Sequence, residues 1–260
     1  MQEQFSRSAG VLMPVSSLPG PYGIGTFGKK AYEFVDNLVK ARQKYWQVLP
    51  LGPTSFGDSP YASFSAFAGN PYFIDLDMLI EEGLLTKEFV DSKRWNIEDQ
   101  YVDYGLVYNS RFEVLRVAYE NSNHKELNEY KEFFTENEFW LEDYSLYRAC
   151  KDKYEGRPWS EWDKKIKFRE GETVGAFKEE LKDDMDFYKF IQFKFNEQWC
   201  KLKEYANENG ILIIGDIPIY VAMDSADVWQ NTGMFQLDEE LNPKKVAGVP
   251  PDAFSDLGQR

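Results

Sequence analysis

The first 80 residues alternate short apolar runs with loops rich in glycine and proline. Residues 10–15 form an apolar run bounded by turn residues, which predicts a strand buried on both faces. A second strand is predicted over residues 45–49. Between the two, apolar residues recur at helical spacing from Ala31 to Val39, with Thr26 at the position of an N-cap. Strand, helix and strand in this order predict a parallel βαβ unit.

From about residue 80 to 209 the pattern becomes helical. Glutamate, lysine and aromatic residues dominate, and apolar residues line one helical face within residues 106–119 and again within 186–205. Because a helix with one apolar stripe nearly always buries it, we predict an all-helical insertion with an aromatic core, followed by a long helix leading back to the sheet. For Trp159 and Trp162, we favour packing within this insertion over a role as a platform for sugars.

The third predicted strand is the clearest in the sequence. Four aliphatic residues, 211–214, run directly into Gly215 and Asp216. A carboxylate therefore follows the end of this strand. In parallel α/β folds, functional loops lie at the carboxyl ends of strands, so Asp216 is a candidate site residue.

Composition excludes several classes of function. The chain has 44 acidic and 30 basic residues and a net charge of −14, which argues against a nucleic-acid binder. His124 is the only histidine, so a histidine-rich metal site is impossible and chemistry is expected to rest on carboxylates. Cys150 and Cys200 are too few and too far apart for a disulfide framework. With no targeting segment and no apolar run of membrane-spanning length, we expect a cytoplasmic protein.

Residues 23–28 match the dinucleotide fingerprint G-x-G-x-x-G, but their context does not fit it. Seven residues separate the predicted strand from Gly23, whereas the fingerprint needs a tight turn between strand and helix. The acidic residue expected at the end of the second strand is also missing. We therefore expect no dinucleotide; a flexible loop beside a sugar site accounts better for these glycines.

Three polar stretches, residues 16–20, 57–72 and 215–229, each follow a predicted strand. They bring hydroxyls, carboxylates and aromatic rings to one edge of a parallel sheet. Such a mixture suits a carbohydrate, whose C–H faces pack on rings and whose hydroxyls need short polar partners.

The chain resembles the N-terminal half of the 4-α-glucanotransferases of the amylomaltase, or disproportionating-enzyme, type (glycoside hydrolase family 77). The resemblance begins at Ala9 and is carried by three stretches in the right order, namely Gly52–Tyr61 with Gly69–Tyr72, Gly215–Tyr220 with Asp224–Trp229, and Ala247–Asp252. It implies an α/β fold, the N-terminal portion of a (β/α)₈ TIM barrel with a large helical insertion. The implied segments are residues 1–80 (first barrel βα units), 81–185 (helical insertion) and 186–260 (barrel helix, third strand and active-site loop).

The same resemblance implies the reaction. A retaining glucanotransferase cuts an α-1,4-glucan and passes the released segment to the 4-hydroxyl of another maltodextrin, through an aspartate nucleophile and a glutamate acid/base. No metal and no organic cofactor is implied, and the partner is the glucan itself rather than nucleic acid or membrane. The oligomeric state is left open.

Site residues carry over one by one. Asp216 resembles the family's supporting aspartate at the end of the third barrel strand, and Tyr61 resembles the tyrosine that stacks beside the glucose at the cleavage point, with Ser59 as a nearby hydroxyl. Asp58 is a candidate brace for that loop. The segment 248–260 looks like the flexible loop that closes over bound glucan. Its candidate sugar contacts are Asp252, Asp256 and Gln259.

One position departs from the family. Better-studied members have a tyrosine at a secondary glucan site where this chain has Phe56, so the resemblance leaves a second glucan site in doubt. The family's nucleophile and acid/base follow later barrel strands than the three found here. We therefore expect a fragment of a longer protein that is inactive alone. Two alternatives stay open: an α-glucan hydrolase on the same scaffold, or a non-catalytic glucan-binding module.

Overall fold

The computed structural model describes residues 7–54, 57–98, 100–245, 248–253 and 255–258. Its sheet has three strands, β1 (Gly10–Leu12), β2 (Tyr45–Gln47) and β3 (Leu212–Ile214), in the order β1-β2-β3. All neighbours are parallel, and Val11, Trp46 and Ile213 share one row of the register. With helix α1 (Lys29–Lys40) between β1 and β2, this confirms the predicted parallel βαβ unit and an α/β fold.

The strands are shorter than predicted, and the expectation of burial on both faces is wrong for β1. One face of the sheet is covered by helices and buries Trp46 completely. On the other face Leu12 and Leu212 are 51% and 53% exposed. Side chains alternate between the two faces of a strand. An aliphatic run therefore predicts that both faces are apolar, but it does not predict whether other elements cover each face.

Helices make up most of the remaining structure. They are α2 (Leu76–Glu81), α3 (Lys87–Asp91), α4 (Tyr104–Glu120), α5 (Asn128–Lys153), α6 (Lys164–Lys167), α7 (Gly171–Glu180), α8 (Lys182–Glu208) and α9 (Ala226–Gln230). Short 3₁₀ turns occupy Val15–Ser17, Pro71–Phe73, His124–Glu126, Trp159–Glu161 and Thr232–Met234. In the part of the chain that the structure describes, no helix is long and apolar enough to cross a membrane.

Thr26 does not cap α1, contrary to the sequence prediction. The helix begins after Gly28, which makes no side-chain capping bond. Thr26 instead donates a hydrogen bond of 2.6 Å from Oγ1 to Oδ2 of Asp75. Asp75 caps α2 with its other oxygen, which accepts from the amide of Met78 at 3.0 Å. The threonine thus ties the loop after β1 to the start of α2.

The glycines of the dinucleotide-like pattern are explained by close packing within the chain. A Cβ at Gly25 would lie 1.9 Å from the carbonyl oxygen of Val15, and a Cβ at Gly28 would lie 1.9 Å from Asp75 Oδ2. A 3₁₀ turn also separates β1 from α1, so there is no tight strand-to-helix turn. These contacts account for both glycines without a nucleotide.

The region 81–185 is helical, as predicted, and its aromatic residues form a core with α8. Helices α5 and α8 pack along each other. Phe187, Phe190 and Ile191 of the predicted α8 stripe are buried. Trp159 and Trp162 are also buried, which confirms packing and excludes a role as an exposed sugar platform.

Two glutamines on α8 hold the chain between β2 and α2 by its backbone. Gln192 accepts a hydrogen bond from the amide of Gly69 (2.7 Å) and donates one to its carbonyl (3.0 Å). Gln198 makes the same pair of bonds to Asp75, at 2.7 and 3.1 Å. The donor and acceptor atoms of all four hydrogen bonds are buried. The side-chain amides of the two glutamines therefore pair with backbone groups that would otherwise lack a hydrogen-bond partner.

Candidate functional site

Tyr61 and Asp216 meet beyond the carboxyl ends of β2 and β3, although 155 positions separate them in sequence. The hydroxyl of Tyr61 donates to Asp216 Oδ2 at 2.7 Å. This bond, with the negative charge of the carboxylate, raises the pKa of Tyr61 above its ordinary value. Tyr61 is 49% exposed, so its ring remains accessible to a ligand.

Ser59 supports Tyr61 from within the same loop. Its Oγ accepts a hydrogen bond from the amide of Tyr61 at 3.3 Å. Gly57 and Asp58 both have positive φ, 91° and 54°, and turn the chain sharply ahead of this contact. The structure therefore brings three predicted site residues together: Ser59, Tyr61 and Asp216.

Asp58 does not brace this loop through its side chain. Its carboxylate has no hydrogen-bond partner among the described residues, and it lines a cavity of about 650 Å³. Partial burial raises the pKa of Asp58. The bend at this position comes from the backbone conformation of Gly57 and Asp58 itself.

The cavity beside Asp58 lies between the loop after β2 and helices α4 and α5; we call it the tyrosine cavity. Four tyrosines line it with hydroxyls that have no hydrogen-bond partner among the described residues, namely Tyr72, Tyr104, Tyr108 and Tyr144. Aromatic faces combined with free hydroxyls suit a polyhydroxylated ligand.

Arg148 contributes the buried positive charge of the tyrosine cavity. Its Nη2 donates to the hydroxyl of Tyr188 at 3.4 Å, and its Nε has no partner in the described structure. The guanidinium lies 5.1 Å from the ring centre of Phe64. Arg148, Phe64 and Tyr108 also line a second cavity of about 600 Å³, so the two spaces adjoin.

The end of the loop after β3 is anchored by Asp224, which sequence analysis did not single out. Asp224 accepts hydrogen bonds from the Tyr147 hydroxyl (2.8 Å), the Lys151 ammonium (2.7 Å) and the Trp159 amide (3.2 Å). All three donors belong to the helical insertion. In the sequence, Lys151 is a charged residue within the apolar face of a helix, which indicates a buried ion pair with an acidic partner elsewhere in the chain.

Two of the three predicted loop contacts, Asp252 and Asp256, lie within the described residues. Asp252 accepts from the amide of Ser255 at 2.9 Å, which closes a turn. Asp256 is exposed, and among the described residues no hydrogen bond links it to Tyr61 or Asp216. Gln259 and Phe56 lie outside the described residues.

Among the described residues, no three metal-ligating side chains come together, so the structure offers no cluster that would hold an ion. The site is built from hydroxyls, carboxylates and rings.

Comparison with known proteins places this chain in a family. The family model described as 4-alpha-glucanotransferase matches residues 13–260. The chain belongs to the 4-alpha-glucanotransferase family. It is 54% identical over 248 residues to the 4-alpha-glucanotransferase of Clostridium butyricum, which covers 95% of this chain and 51% of that protein. The Thermus thermophilus 4-alpha-glucanotransferase is 46% identical over 261 residues, 99% of this chain and 51% of the relative.

A solved structure agrees with the family. The amylomaltase from Streptococcus agalactiae in complex with acarbose superposes with a TM-score of 0.93 at 44% identity, covering 98% of this chain and 52% of that one. The chain spans about half the length of the curated relatives it matches. The resemblance inferred from the three sequence stretches is thereby confirmed.

Sequence reasoning located the residues after β2 and β3 but missed the residues that line the cavity beside them. Tyr104 and Tyr144 line one cavity together with residues of the loop after β2, because α4 and α5 carry them to that loop. Arg148 sits in an otherwise apolar part of α5, which hinted at a buried charge without indicating its surroundings.

Proposed function

We propose that this chain forms part of a 4-α-glucanotransferase that transfers segments of α-1,4-glucan between maltodextrins. The observation that carries the proposal is the hydrogen bond between Tyr61 and Asp216 at the edge of the parallel sheet, in a chain of this family. The hydroxyl is fixed by the carboxylate, and the exposed ring presents a face on which a glucose unit can stack.

The proposed reaction is a retaining double displacement. An aspartate attacks C1 of the donor sugar while a glutamate protonates the leaving oxygen; the same glutamate then deprotonates the acceptor 4-hydroxyl, which displaces the aspartate. We infer that the nucleophile and the acid/base lie outside this chain. Asp216, Ser59 and Tyr61 would orient the sugar at the cleavage point without taking part in bond exchange.

We further propose that the three strands belong to a (β/α)₈ barrel. The open face of the sheet supports this, because Leu12, Leu212 and Ile214 are apolar and exposed there. An apolar sheet face of this kind needs a covering layer. The segments 1–80, 81–185 and 186–260 then correspond to the first βα units, the helical insertion and the return to the barrel with the active-site loop.

The tyrosine cavity supports a second contact with glucan. Its four unpartnered hydroxyls and its rings match the needs of a maltodextrin, and Tyr108 is among its exposed side chains. We propose that this cavity binds glucan even though Phe56 supplies no hydroxyl. In the loop 248–258, Asp252 and Asp256 remain proposed sugar contacts, together with Gln259.

Product analysis tests the reaction. Maltotriose incubated with the full-length protein that carries this chain should yield both longer and shorter maltodextrins, whereas the 260-residue chain alone should yield neither. Shorter products alone would identify a hydrolase. Transfer by the 260-residue chain itself would refute the placement of the nucleophile and the acid/base outside it.

Binding tests the assigned residues. In calorimetric titrations of the chain with maltoheptaose, Tyr61→Phe should weaken binding about three- to tenfold, because the bond that orients the ring is lost. Tyr205→Phe is a matched control, since the Tyr205 hydroxyl donates to Asp36 at the same 2.7 Å, on the α1–α8 side of the fold. Equal effects of the two variants would contradict the role of Tyr61.

A further inference from the structure

The loop that carries Asp216 has little support of its own. Residues 215–223 form no helix or strand, and none of their amides or carbonyls takes part in a backbone–backbone hydrogen bond. Ile217, Ile219 and Tyr220 in its middle are exposed. The position of Asp216 therefore depends on what holds the two ends of the loop.

One end of the loop is the strand β3, and the other is held by the helical insertion. Two side chains one turn apart on α5, Tyr147 and Lys151, and the amide of Trp159 donate to the Asp224 carboxylate. The indole Nε1 of Trp159 also donates to the carbonyl of the preceding Met223 at 2.7 Å. Directly after Asp224, Ser225 caps helix α9, and the amide of Ala226 donates to the carbonyl of Phe64 at 2.8 Å. The loop is thus fastened to the insertion and to the loop after β2 at the same place.

The donors themselves are rigidly held. The Lys151 side chain is buried, and its ammonium also donates to the carbonyls of Gly156 (2.6 Å) and Arg157 (3.1 Å). All three of its N–H groups are therefore used, which fixes the charge opposite Asp224. Burial and the Asp224 carboxylate together raise the pKa of Tyr147 well above its ordinary value, so its hydroxyl stays protonated and remains a donor.

We propose that Asp224, Lys151 and Tyr147 are positioning residues through which the helical insertion sets the place of Asp216, and thereby of Tyr61. This inference rests on the proposed function for its effect on glucan. Two contacts in the chain, Tyr61 with Asp216 and the insertion with Asp224, hold opposite ends of the same unsupported segment. Loosening the second contact should disturb the first.

The test compares two tyrosines of the insertion. Tyr147 donates to Asp224 at 2.8 Å, and Tyr154 donates to Asp163 at 2.9 Å; both rings contact Trp162. Each change to phenylalanine removes one hydroxyl and keeps the ring. In titrations of the full chain with maltoheptaose, Tyr147→Phe should weaken binding about three- to tenfold and Tyr154→Phe less than about twofold.

A double-mutant cycle separates positioning from a general loss of stability. In an Asp216→Ala background, Tyr147→Phe should change the affinity for maltoheptaose by less than about twofold, because the group that it positions is gone. If Tyr147→Phe weakens binding equally with and without Asp216, the two residues act independently and the proposal is wrong.

A measurement without ligand keeps this inference distinct from the proposed function. Chymotrypsin should cleave after the exposed Tyr220 several-fold faster in Tyr147→Phe and in Asp224→Asn than in the parent chain or in Tyr154→Phe. If the parent chain does not bind maltoheptaose, the glucan contacts proposed for this chain fail, and the cleavage rates alone decide the positioning role. Unchanged cleavage at Tyr220 in both variants would overturn the positioning role.

Discussion

His124 should remain neutral far below the pH at which a histidine ordinarily gains its proton. It is 3% exposed and packed against aromatic rings, with its ring centre 4.8 Å from that of Tyr130. Nδ1 lies 2.7 Å from Ser122 Oγ, and the buried Nε2 has no partner among the described residues. Burial, assisted by Lys125 and Lys194 and opposed by Asp186, lowers the pKa of His124 to about 4.

This shift makes folding stability dependent on pH. The unfolded chain takes up the proton near pH 6.5 and the folded chain only near pH 4, so acidification favours the unfolded state across that window. Between pH 7 and pH 5 the histidine should remove about 2 kcal/mol from the free energy of unfolding. Below about pH 4 both states are protonated and its contribution no longer changes.

Because His124 is the only histidine, its titration can be followed by proton NMR without assignment by mutagenesis, provided that no histidine tag is used. Urea unfolding at pH 7 and pH 5 gives the second measurement, with His124→Phe as the reference that does not titrate. Wild type should lose about 2 kcal/mol more than this variant on acidification. A titration midpoint at or above 6.5, or equal losses in both proteins, would refute the reasoning.

Three further predictions concern packing, capping and thiol reactivity. Gly25→Ala places a Cβ 1.9 Å from a carbonyl oxygen and should lower the free energy of unfolding in urea by more than about 3 kcal/mol. Gly175→Ala, in α7 with open space around it, should raise that free energy by about 0.5–1 kcal/mol. Asp75→Ala removes both a cap and the bond to Thr26 and should cost about 2–4 kcal/mol, against about 1 kcal/mol for Asp103→Ala, which removes only the cap of α4. A thiol reagent should modify one cysteine in the native chain and two in denaturant, because Cys200 is exposed while burial raises the pKa of Cys150 to about 12. Equal changes in the free energy of unfolding for the two glycine variants, or for the two aspartate variants, would contradict the first two predictions. Two reactive thiols in the native chain would contradict the third.

The pattern of apolar residues was sufficient to predict the order of the elements and the meeting of loops after β2 and β3. Tyr61 and Asp216 are far apart in sequence, yet the rule that parallel strands end at one edge of a sheet placed their loops together; the hydrogen bond of 2.7 Å between them was not predicted. That rule depends on topology alone. It holds because both strands were recognisable from their own residues.

What the sequence did not reveal depends on packing between elements. The Thr26 hydroxyl bonds to Asp75 rather than capping its neighbouring helix, because α2 brings a buried carboxylate within 2.6 Å. Likewise, nothing in the sequence distinguishes Asp224 from the other acidic residues after β3. Its importance is visible only in the fold, where Lys151 and Tyr147 of α5 donate hydrogen bonds to it. Side-chain partners that lie on other elements are outside the reach of local spacing.

The paired bonds from Gln192 and Gln198 fix the length of the chain segment between Gly69 and Asp75 through its backbone. The two glutamines are six positions apart on one helix, about 9 Å along its axis, and the residues that they hold are also six positions apart. Each amide recognises only a peptide group. The insertion or deletion of a single residue between residues 70 and 74 should therefore be poorly tolerated, because it would leave one buried glutamine without its partner.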